Sequence, residues 1–267
     1  MSKPIPIAVH GAAGRMGRAI LRLAAENPAL RIAAAVVKEG SPLRGVVLRE
    51  SPEAGENIAY SDSLDAASDA AVLIDFSVAP AFDAALDFAR SRRIAFVSGT
   101  TGLSPAQRHM VQNAAAEIPL IWSANFSLGV AVLSRLVRDA AKWLPDWDCE
   151  IAEAHHRGKK DAPSGTALLL GRAVADARGV DFDRAARMSH ADGAREAGSI
   201  GFASLRAGDI VGEHAVMLAG DGERIELVHR AGDRDVFARG ALAAARWIAG
   251  RAPGLYGLDE VLGIERA

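Results

Sequence analysis

The feature that most constrains this chain is the junction between Ile5–His10, a short and mostly apolar run, and Gly11-Ala12-Ala13-Gly14-Arg15-Met16-Gly17. Beyond it, Met16, Ile20, Leu21, Leu23 and Ala24 recur at helical spacing over residues 14–26. Strand, glycine-rich turn and helix in that order make a βα unit. Gly11 permits a tight turn, Gly14 lets backbone approach a pyrophosphate, and Gly17 lets the helix pack against the strand. The first N–H groups of such a helix lie outside its own ladder and carry partial positive charge, which suits phosphate. The spacing is G-x-x-G-x-x-G, with Ala13 where the usual fingerprint has its second glycine. A glycine-rich connection in another α/β protein would read the same way locally. Its place at the first βα turn of an alternating chain favours dinucleotide binding.

That alternation continues. Apolar runs at residues 32–37, 72–76, 94–98 and 120–122 are separated by helical stretches at 79–90 and from Ser104 to about residue 117. Ser104-Pro105-Ala106-Gln107 supplies an N-cap, a first-turn proline and a capping-box glutamine. Strands that are nearly all apolar and alternate with helices predict a parallel sheet covered on both faces. Past Asn125 the pattern changes. Residues 126–144 predict one long helix ended by Pro145, residues 150–154 a strand and residues 166–178 a helix. Residues 199–205, 212–219 and 223–229 are β-like, with turn signals at Gly208-Asp209 and Asp221-Gly222. A helix over 236–248 closes the chain. The expected fold is α/β: a doubly wound parallel sheet plus an α+β unit with a mixed or antiparallel sheet.

Composition narrows the partners. With 31 Lys and Arg against 33 Asp and Glu, the formal net charge is -2. Nothing global attracts nucleic acid or an anionic membrane, so any anion site must be a local cluster. No apolar run approaches the length of a membrane span. Met1-Ser2-Lys3-Pro4 runs into a short apolar stretch without the long apolar core of a signal peptide. Cys149 has no second cysteine to pair with, which fits a reducing compartment, and a cytoplasmic location is expected. Its acidic surroundings, Trp147-Asp148-Cys149-Glu150, raise a thiol pKa and disfavour a cysteine nucleophile.

Dinucleotide-binding strands usually carry an acid at the end of the second strand, where it holds the adenine ribose. Here Val37-Lys38 occupies that place. Lys38, helped by Arg15, could pair with the 2′-phosphate of NADPH, although a solvated loop lysine is the common alternative. The balance tilts toward NADPH over NADH. Gly99-Thr100-Thr101-Gly102 follows the fourth strand, where small residues would admit a nicotinamide ring or simply make a turn. Ser123-Ala124-Asn125-Phe126 follows the fifth strand in the equivalent position. Asn125 could bind a carboxamide or cap the next helix.

The densest chemistry lies in Glu153-Ala154-His155-His156-Arg157-Gly158-Lys159-Lys160-Asp161-Ala162-Pro163-Ser164-Gly165-Thr166. Two histidines and three cations fall within six residues, ahead of a serine that can cap an amphipathic helix. A helix N-terminus facing a basic loop suits a small multivalent anion. Histidine exchanges protons near neutral pH, and lysine can donate one or hold a carboxylate. A solvated charged loop is the bland alternative. Adjacent histidines lack zinc-ligand spacing, so no metal is expected.

These segments resemble the 4-hydroxy-tetrahydrodipicolinate reductase family, also called dihydrodipicolinate reductase. The resemblance is carried by the turn from Gly11 to Gly17, Gly99-Thr100-Thr101-Gly102, Ala124-Asn125-Phe126-Ser127, the run from Glu153 to Thr166, and Arg206-Ala207-Gly208-Asp209-Ile210-Val211-Gly212-Glu213-His214. It implies an NADH- or NADPH-dependent reduction of a cyclic dicarboxylate imine derivative to tetrahydrodipicolinate, in lysine and diaminopimelate synthesis. It also implies a Rossmann-type domain of residues 1–126 plus 235–267, and a substrate-binding domain of residues 127–234 whose sheet builds a homotetramer. By motif, His155 and Lys159 would be the catalytic pair, one giving the proton. His156, Lys159, Gly165 and Thr166 would bind substrate. Gly11, Ala12, Ala13, Gly14, Arg15, Met16, Lys38, Gly99, Thr100, Thr101, Ser123, Ala124, Asn125 and Phe126 would line the cofactor. Many relatives carry an acid where Val37 stands, a departure that weighs against an NADH preference.

Two other functions fit parts of the chain. A Rossmann-type amino-acid dehydrogenase would share the two-part plan but oxidise an amino acid. A nucleotide-sensing regulator would bind cofactor without turnover, but it would leave the polar cluster without purpose and would bring a DNA-binding element that is not evident here.

Overall fold

The computed structural model describes residues 3–49, 57–188 and 193–264. The chain divides into two compact units, Met1–Leu128 with Asp235–Ala267, and Gly129–Arg234.

The first unit opens with β1 (Ile5–His10), α1 (Arg15–Ala25) and β2 (Leu30–Val36). A short β3 (Tyr60–Ser61) and one 3-10 turn (Leu64–Ala67) follow, then β4 (Val72–Asp75), α2 (Ala79–Arg92), β5 (Ala95–Ser98), α3 (Pro105–Ala114) and β6 (Pro119–Trp122). The chain next builds the second unit from α4 (Leu128–Trp143), β7 (Asp148–His155), α5 (Gly165–Arg178), α6 (Phe182–Ala185), β8 (Ala186–Arg187), β9 (Ile200–Arg206), β10 (Gly212–Gly220) and β11 (Glu223–Ala231). It returns to the first with α7 (Asp235–Ile248), β12 (Gly254–Tyr256) and α8 (Leu258–Val261).

In the first unit seven strands lie in the order β12-β6-β5-β4-β1-β2-β3, and every neighbouring pair is parallel. The order reverses between β1 and β4. In sheets of this kind ligands bind outside the carboxyl ends of the strands at such a reversal. The apolar runs are strands because helices bury them: Ile7, Ala8, Val9, Leu73, Ile74, Phe96, Val97, Leu120 and Ile121 are all inaccessible. Phe82 and Leu86 of α2 pack on Phe96 and Leu120 of the sheet, with the Phe82 and Phe96 rings edge to face at 5.8 Å. α1 buries Gly17, Ile20, Leu21, Leu23 and Ala24, the stripe its spacing predicts.

The Ser104–Gln107 capping box forms as expected. Other boundaries move. β2 begins at Leu30 and ends at Val36, so Lys38 stands two residues past it. α3 stops at Ala114, and Glu117 instead closes a turn onto the Ala114 carbonyl and pairs with Arg90 at 2.6 Å. α4 starts at Leu128 because Asn125 Oδ1 takes the Ser127 N–H at 2.7 Å in a local turn. β3, β8, β12, α6 and α8 have two to four residues each, too few to show a hydrophobic period.

The second unit's sheet runs β11-β10-β7-β9-β8. β9 is parallel to β7 and β8, whereas β10 is antiparallel to β7 and β11, so the sheet is mixed. One face packs Cys149, Ile151, Ile200, Phe202, Val216 and Leu218 against Leu133 and Val137 of α4 and Leu170 and Val174 of α5. The register then sets His229 opposite His214, His214 opposite Glu153, and Glu153 opposite Ser204. Directly opposed residues share a face. One polar row therefore continues the apolar face at the end of β7.

Candidate active site

The residues singled out from the sequence fall into two groups, one in each unit. In the first unit, Gly11 has φ +78°, and a Cβ there would lie 2.6 Å from the Phe76 carbonyl oxygen. A Cβ at Gly17 would overlap the Gly11 carbonyl oxygen. Both positions therefore demand glycine. Ala12 is buried and donates its N–H to the Val36 carbonyl at 3.0 Å, which ties the turn to β2. Ala13 and Met16 are half-buried, and Gly14 and Arg15 are exposed. Gly14 is the N-cap of α1, and no side chain caps that helix. A forced glycine turn opening on a helix end without a side-chain cap fits a pyrophosphate.

Gly99 packs against the Phe76 ring, which a Cβ would overlap. Thr100 is buried and Thr101 exposed. Trp122 Nε1 donates to the Thr100 carbonyl at 3.0 Å. The Ser123 N–H donates to the Ser98 carbonyl at 3.1 Å, which brings residues 123–126 beside the Gly99 loop. Ser123 and Asn125 are half-buried, Ala124 is exposed, and the buried Phe126 ring lies 5.4 Å from that of Phe76. The 11–17, 99–101 and 123–126 segments thus follow the carboxyl ends of β1, β5 and β6. Lys38 is exposed beyond β2.

A buried network here escaped the sequence reading. Asp75 ends β4 with no accessible surface. His10 Nδ1, Ser98 Oγ and Thr100 Oγ1 all bond its carboxylate, at 2.8, 2.8 and 2.7 Å. Burial alone would raise its pKa, but His10, Ser77 and Thr100 together hold it below the ordinary carboxylate range. The one available signal was an aspartate closing the apolar run Val72-Leu73-Ile74.

In the second unit, β7 carries Glu153 and His155 into the polar row. Glu153 is 1 % exposed. Arg206, at the end of β9, grips both its oxygens, Nη1 to Oε2 at 2.8 Å and Nη2 to Oε1 at 2.7 Å. His155 Nδ1 lies 2.6 Å from Oε2, and the Ser164 N–H donates to Oε1 at 3.2 Å. Burial would raise the Glu153 pKa, yet the Arg206, His155 and Ser204 hydrogen bonds bring it down to about 2. Burial lowers His155, against the opposing pull of Glu153. Its Nδ1 therefore donates to the carboxylate from a neutral ring, and Nε2 keeps its lone pair.

Ser164 caps α5 by accepting the Ala167 N–H at 3.1 Å, and its Oγ lies 3.0 Å from His214 Nε2. His214 is 4 % exposed and sits edge-on to His155 with ring centres 5.2 Å apart. Burial first, then the neighbouring His155, push its pKa down to about 4. Lys159 Nζ pairs with Asp161 Oδ2 at 2.9 Å, and its charge further lowers His155. His156 is half-buried, its carbonyl accepting the Lys159 N–H at 3.1 Å. Gly165 is exposed and Thr166 half-buried in the first turn of α5. Thus His155, His156, Lys159, Gly165 and Thr166 gather around the end of β7. Roles for Arg206, His214 and Glu153 were not legible, because strand register brings them together.

The comparisons with known proteins cover both groups. Residues 5–126 match the family described as "Dihydrodipicolinate reductase, N-terminus", and residues 129–262 match "Dihydrodipicolinate reductase, C-terminus". The chain is 50% identical over 260 residues to a 4-hydroxy-tetrahydrodipicolinate reductase of Stenotrophomonas maltophilia, covering 97% of this chain and 98% of the relative. It is 47% identical over 271 residues to one of Parvibaculum lavamentivorans, covering 99% and 100%. The fold is similar to the dipicolinate-bound dihydrodipicolinate reductase of Paenisporosarcina sp. TG-14, with TM-score 0.76 and 22% identity over 95% of this chain and 97% of that one. With family matches over residues 5–126 and 129–262 and one-half identity across nearly the full length, the chain belongs to the dihydrodipicolinate reductase family.

Proposed function

We propose that this chain reduces 4-hydroxy-tetrahydrodipicolinate to tetrahydrodipicolinate with NADPH or NADH, as a step of lysine and diaminopimelate synthesis in the cytoplasm. The observation that carries the reading is the Glu153 clamp. It holds His155 beside Lys159 and the N-terminus of α5, at 2.6 Å from His155 and 3.2 Å from the Ser164 N–H. Two carboxylates on one small ring need two anion sites. The Lys159 ammonium with His156 supplies one, and Gly165 with Thr166 at the α5 N-terminus supplies the other.

The first unit is the cofactor domain, where the 11–16 turn takes the pyrophosphate, residues 99–101 and 123–126 line the nicotinamide end, and Lys38 takes the 2′-phosphate. The 4-hydroxyl must leave with a neighbouring ring proton, as water, to give the conjugated imine, and when bound the cofactor supplies a hydride to a ring carbon of that imine. The negative charge that develops on the substrate needs a proton. Lys159 gives it, since a neutral His155 held by Glu153 is the better acceptor and orients the donor. The second unit binds substrate and assembles the homotetramer. Its outer sheet face leaves Ala152, Ala203 and Leu205 exposed, with Leu205 at 63 %. An apolar strip of that kind on a sheet suits a copy of itself.

The test is a coupled assay in which pyruvate, aspartate semialdehyde and the condensing synthase generate substrate in place. Oxidation of NADPH or NADH that depends on the synthase is expected. Protein that binds the cofactors yet oxidises neither overturns the reading. Light scattering tests the assembly, with a mass of four chains expected and a reduced mass for Leu205→Glu.

A further inference from the structure

Asp75 sits at the order reversal of the parallel sheet, under the loops proposed for the cofactor. Its carboxylate is engaged on both oxygens. Oδ1 accepts from His10 Nδ1 at 2.8 Å and from the Ser77 N–H at 3.2 Å. Oδ2 accepts from Ser98 Oγ at 2.8 Å and Thr100 Oγ1 at 2.7 Å. These donors come from three separate stretches of chain. His10 directly precedes Gly11, Ser77 follows Phe76, and Ser98 and Thr100 flank Gly99. Phe76 is the spacer between the two glycines, its carbonyl against Gly11 and its ring against Gly99.

Backbone ladders do not carry the alignment this far. The last rungs here are the Phe76 N–H to the His10 carbonyl at 3.1 Å and the Gly99 N–H to the Asp75 carbonyl at 2.9 Å. Beyond them the Asp75 side chain ties the strand ends. Ser98 Oγ extends the tie by accepting the Thr100 N–H at 3.2 Å. A buried carboxylate is retained only when donors compensate its desolvation, and four donors do so here. Asp75 has 0 % exposure, so it cannot itself touch a ligand.

We infer that Asp75 is a positioning residue for dinucleotide binding, locking the Gly11 turn through His10 to the Gly99–Thr100 loop through Ser98 and Thr100. The inference rests on the reading of the first unit as the cofactor domain. Its physical content is preorganisation. Loops already fixed at the spacing of the bound state lose little freedom on binding, whereas unlocked loops must be ordered at the expense of affinity. NADPH and NADH share the pyrophosphate and nicotinamide and differ at the 2′-phosphate, whose proposed partner Lys38 is not among the groups bonded to Asp75. Loss of the lock therefore weakens both by the same factor.

Asp75→Asn tests this. The amide keeps the shape but offers one acceptor oxygen, and its NH2 confronts hydroxyl or imidazole donors. Dissociation constants for NADPH and for NADH, measured by fluorescence titration without substrate, are expected to rise about tenfold or more, equivalent to about 1.4 kcal/mol. The NADPH to NADH ratio should stay constant, and KM for the cofactor should rise while kcat at saturation changes by less than about threefold. Ser98→Ala, which removes one hydroxyl from the network, should raise both dissociation constants by a smaller factor. Asp75→Asn protein that melts lower but binds both cofactors like the wild type overturns the inference and leaves Asp75 a purely structural acid. Should Asp75→Asn fail to fold, Ser98→Ala decides, and unchanged binding there overturns it. Wild-type protein that binds neither cofactor overturns the domain reading itself, which is separable from a variant that binds as well as a binding wild type.

Discussion

His155 Nδ1 lies 2.6 Å from Glu153 Oε2, on a carboxylate whose other oxygen is held by Arg206 at 2.7 Å. The contact fixes which imidazole nitrogen carries the proton and which keeps its lone pair. Glu153→Gln removes the charge, leaves Arg206 unpaired, and lets the amide present either an acceptor or a donor to His155. Loss of an orienting carboxylate beside a histidine costs orders of magnitude in turnover elsewhere, so kcat should fall at least about tenfold. Stability gives an independent check. The folded pKa of about 2 against the ordinary 4.5 means the carboxylate stabilises the fold fully above about 4.5, and that contribution fades as pH falls toward 2. Urea midpoints of the wild type should drop across that window, and those of Glu153→Gln should drop less.

His214 predicts a second acid limb. Its pKa is about 4 in the fold against 6.5 ordinarily, so between those values the unfolded chain binds the extra proton. Stability is therefore full above about 6.5 and falls as pH drops to 4, by about 3 kcal/mol over the window. In His214→Gln the slope of unfolding free energy between pH 6.5 and 4 should be shallower by about one proton. An unchanged slope would mean that His214 is not buried as a neutral ring.

Gly11→Ala tests the turn. A side chain at φ +78° costs about 1–2 kcal/mol before any clash, and here the Cβ would lie 2.6 Å from the Phe76 carbonyl oxygen. The variant should unfold at lower urea concentration and bind NADPH about tenfold more weakly or worse. Wild-type stability and affinity together would show that the turn can shift without consequence.

Lys38→Glu tests cofactor preference. Lys38 is exposed two residues beyond β2, and in the proposed reading its charge pairs with the 2′-phosphate. A charge-assisted hydrogen bond is worth about 1.5–3 kcal/mol, so the NADPH to NADH ratio of kcat/KM should fall about tenfold or more. A ratio that does not move would assign the preference elsewhere.

Much of this was legible along the chain. The Gly11–Gly17 turn, the alternating apolar strands, the Ser104 cap and the polar run at Glu153–Thr166 are local patterns. A glycine with positive φ, an apolar run between helices or a cap three residues from its partner is specified within one turn or one strand. What was lost even there were the shortest elements, such as β3 and β12, whose two and three residues show no period.

Tertiary structure alone decided which distant residues meet. Asp75 and His10 are 65 positions apart, and Glu153 and Arg206 are 53 apart. Strand order sets the first pair side by side at the order reversal, and the register of β7 on β9 and β10 sets Glu153 among Arg206, Ser204 and His214. A shift of one residue in either register would turn those side chains to the opposite face. The pKa of about 2 at Glu153 and of about 4 at His214 follow from that arrangement, since desolvation and partner charge exist only once the strands are paired. The sequence by itself determined the local elements and the chemical types at hand; the pairing of strands determined which of them became a site, because hydrogen-bond register is a relation between segments and is written in neither one alone.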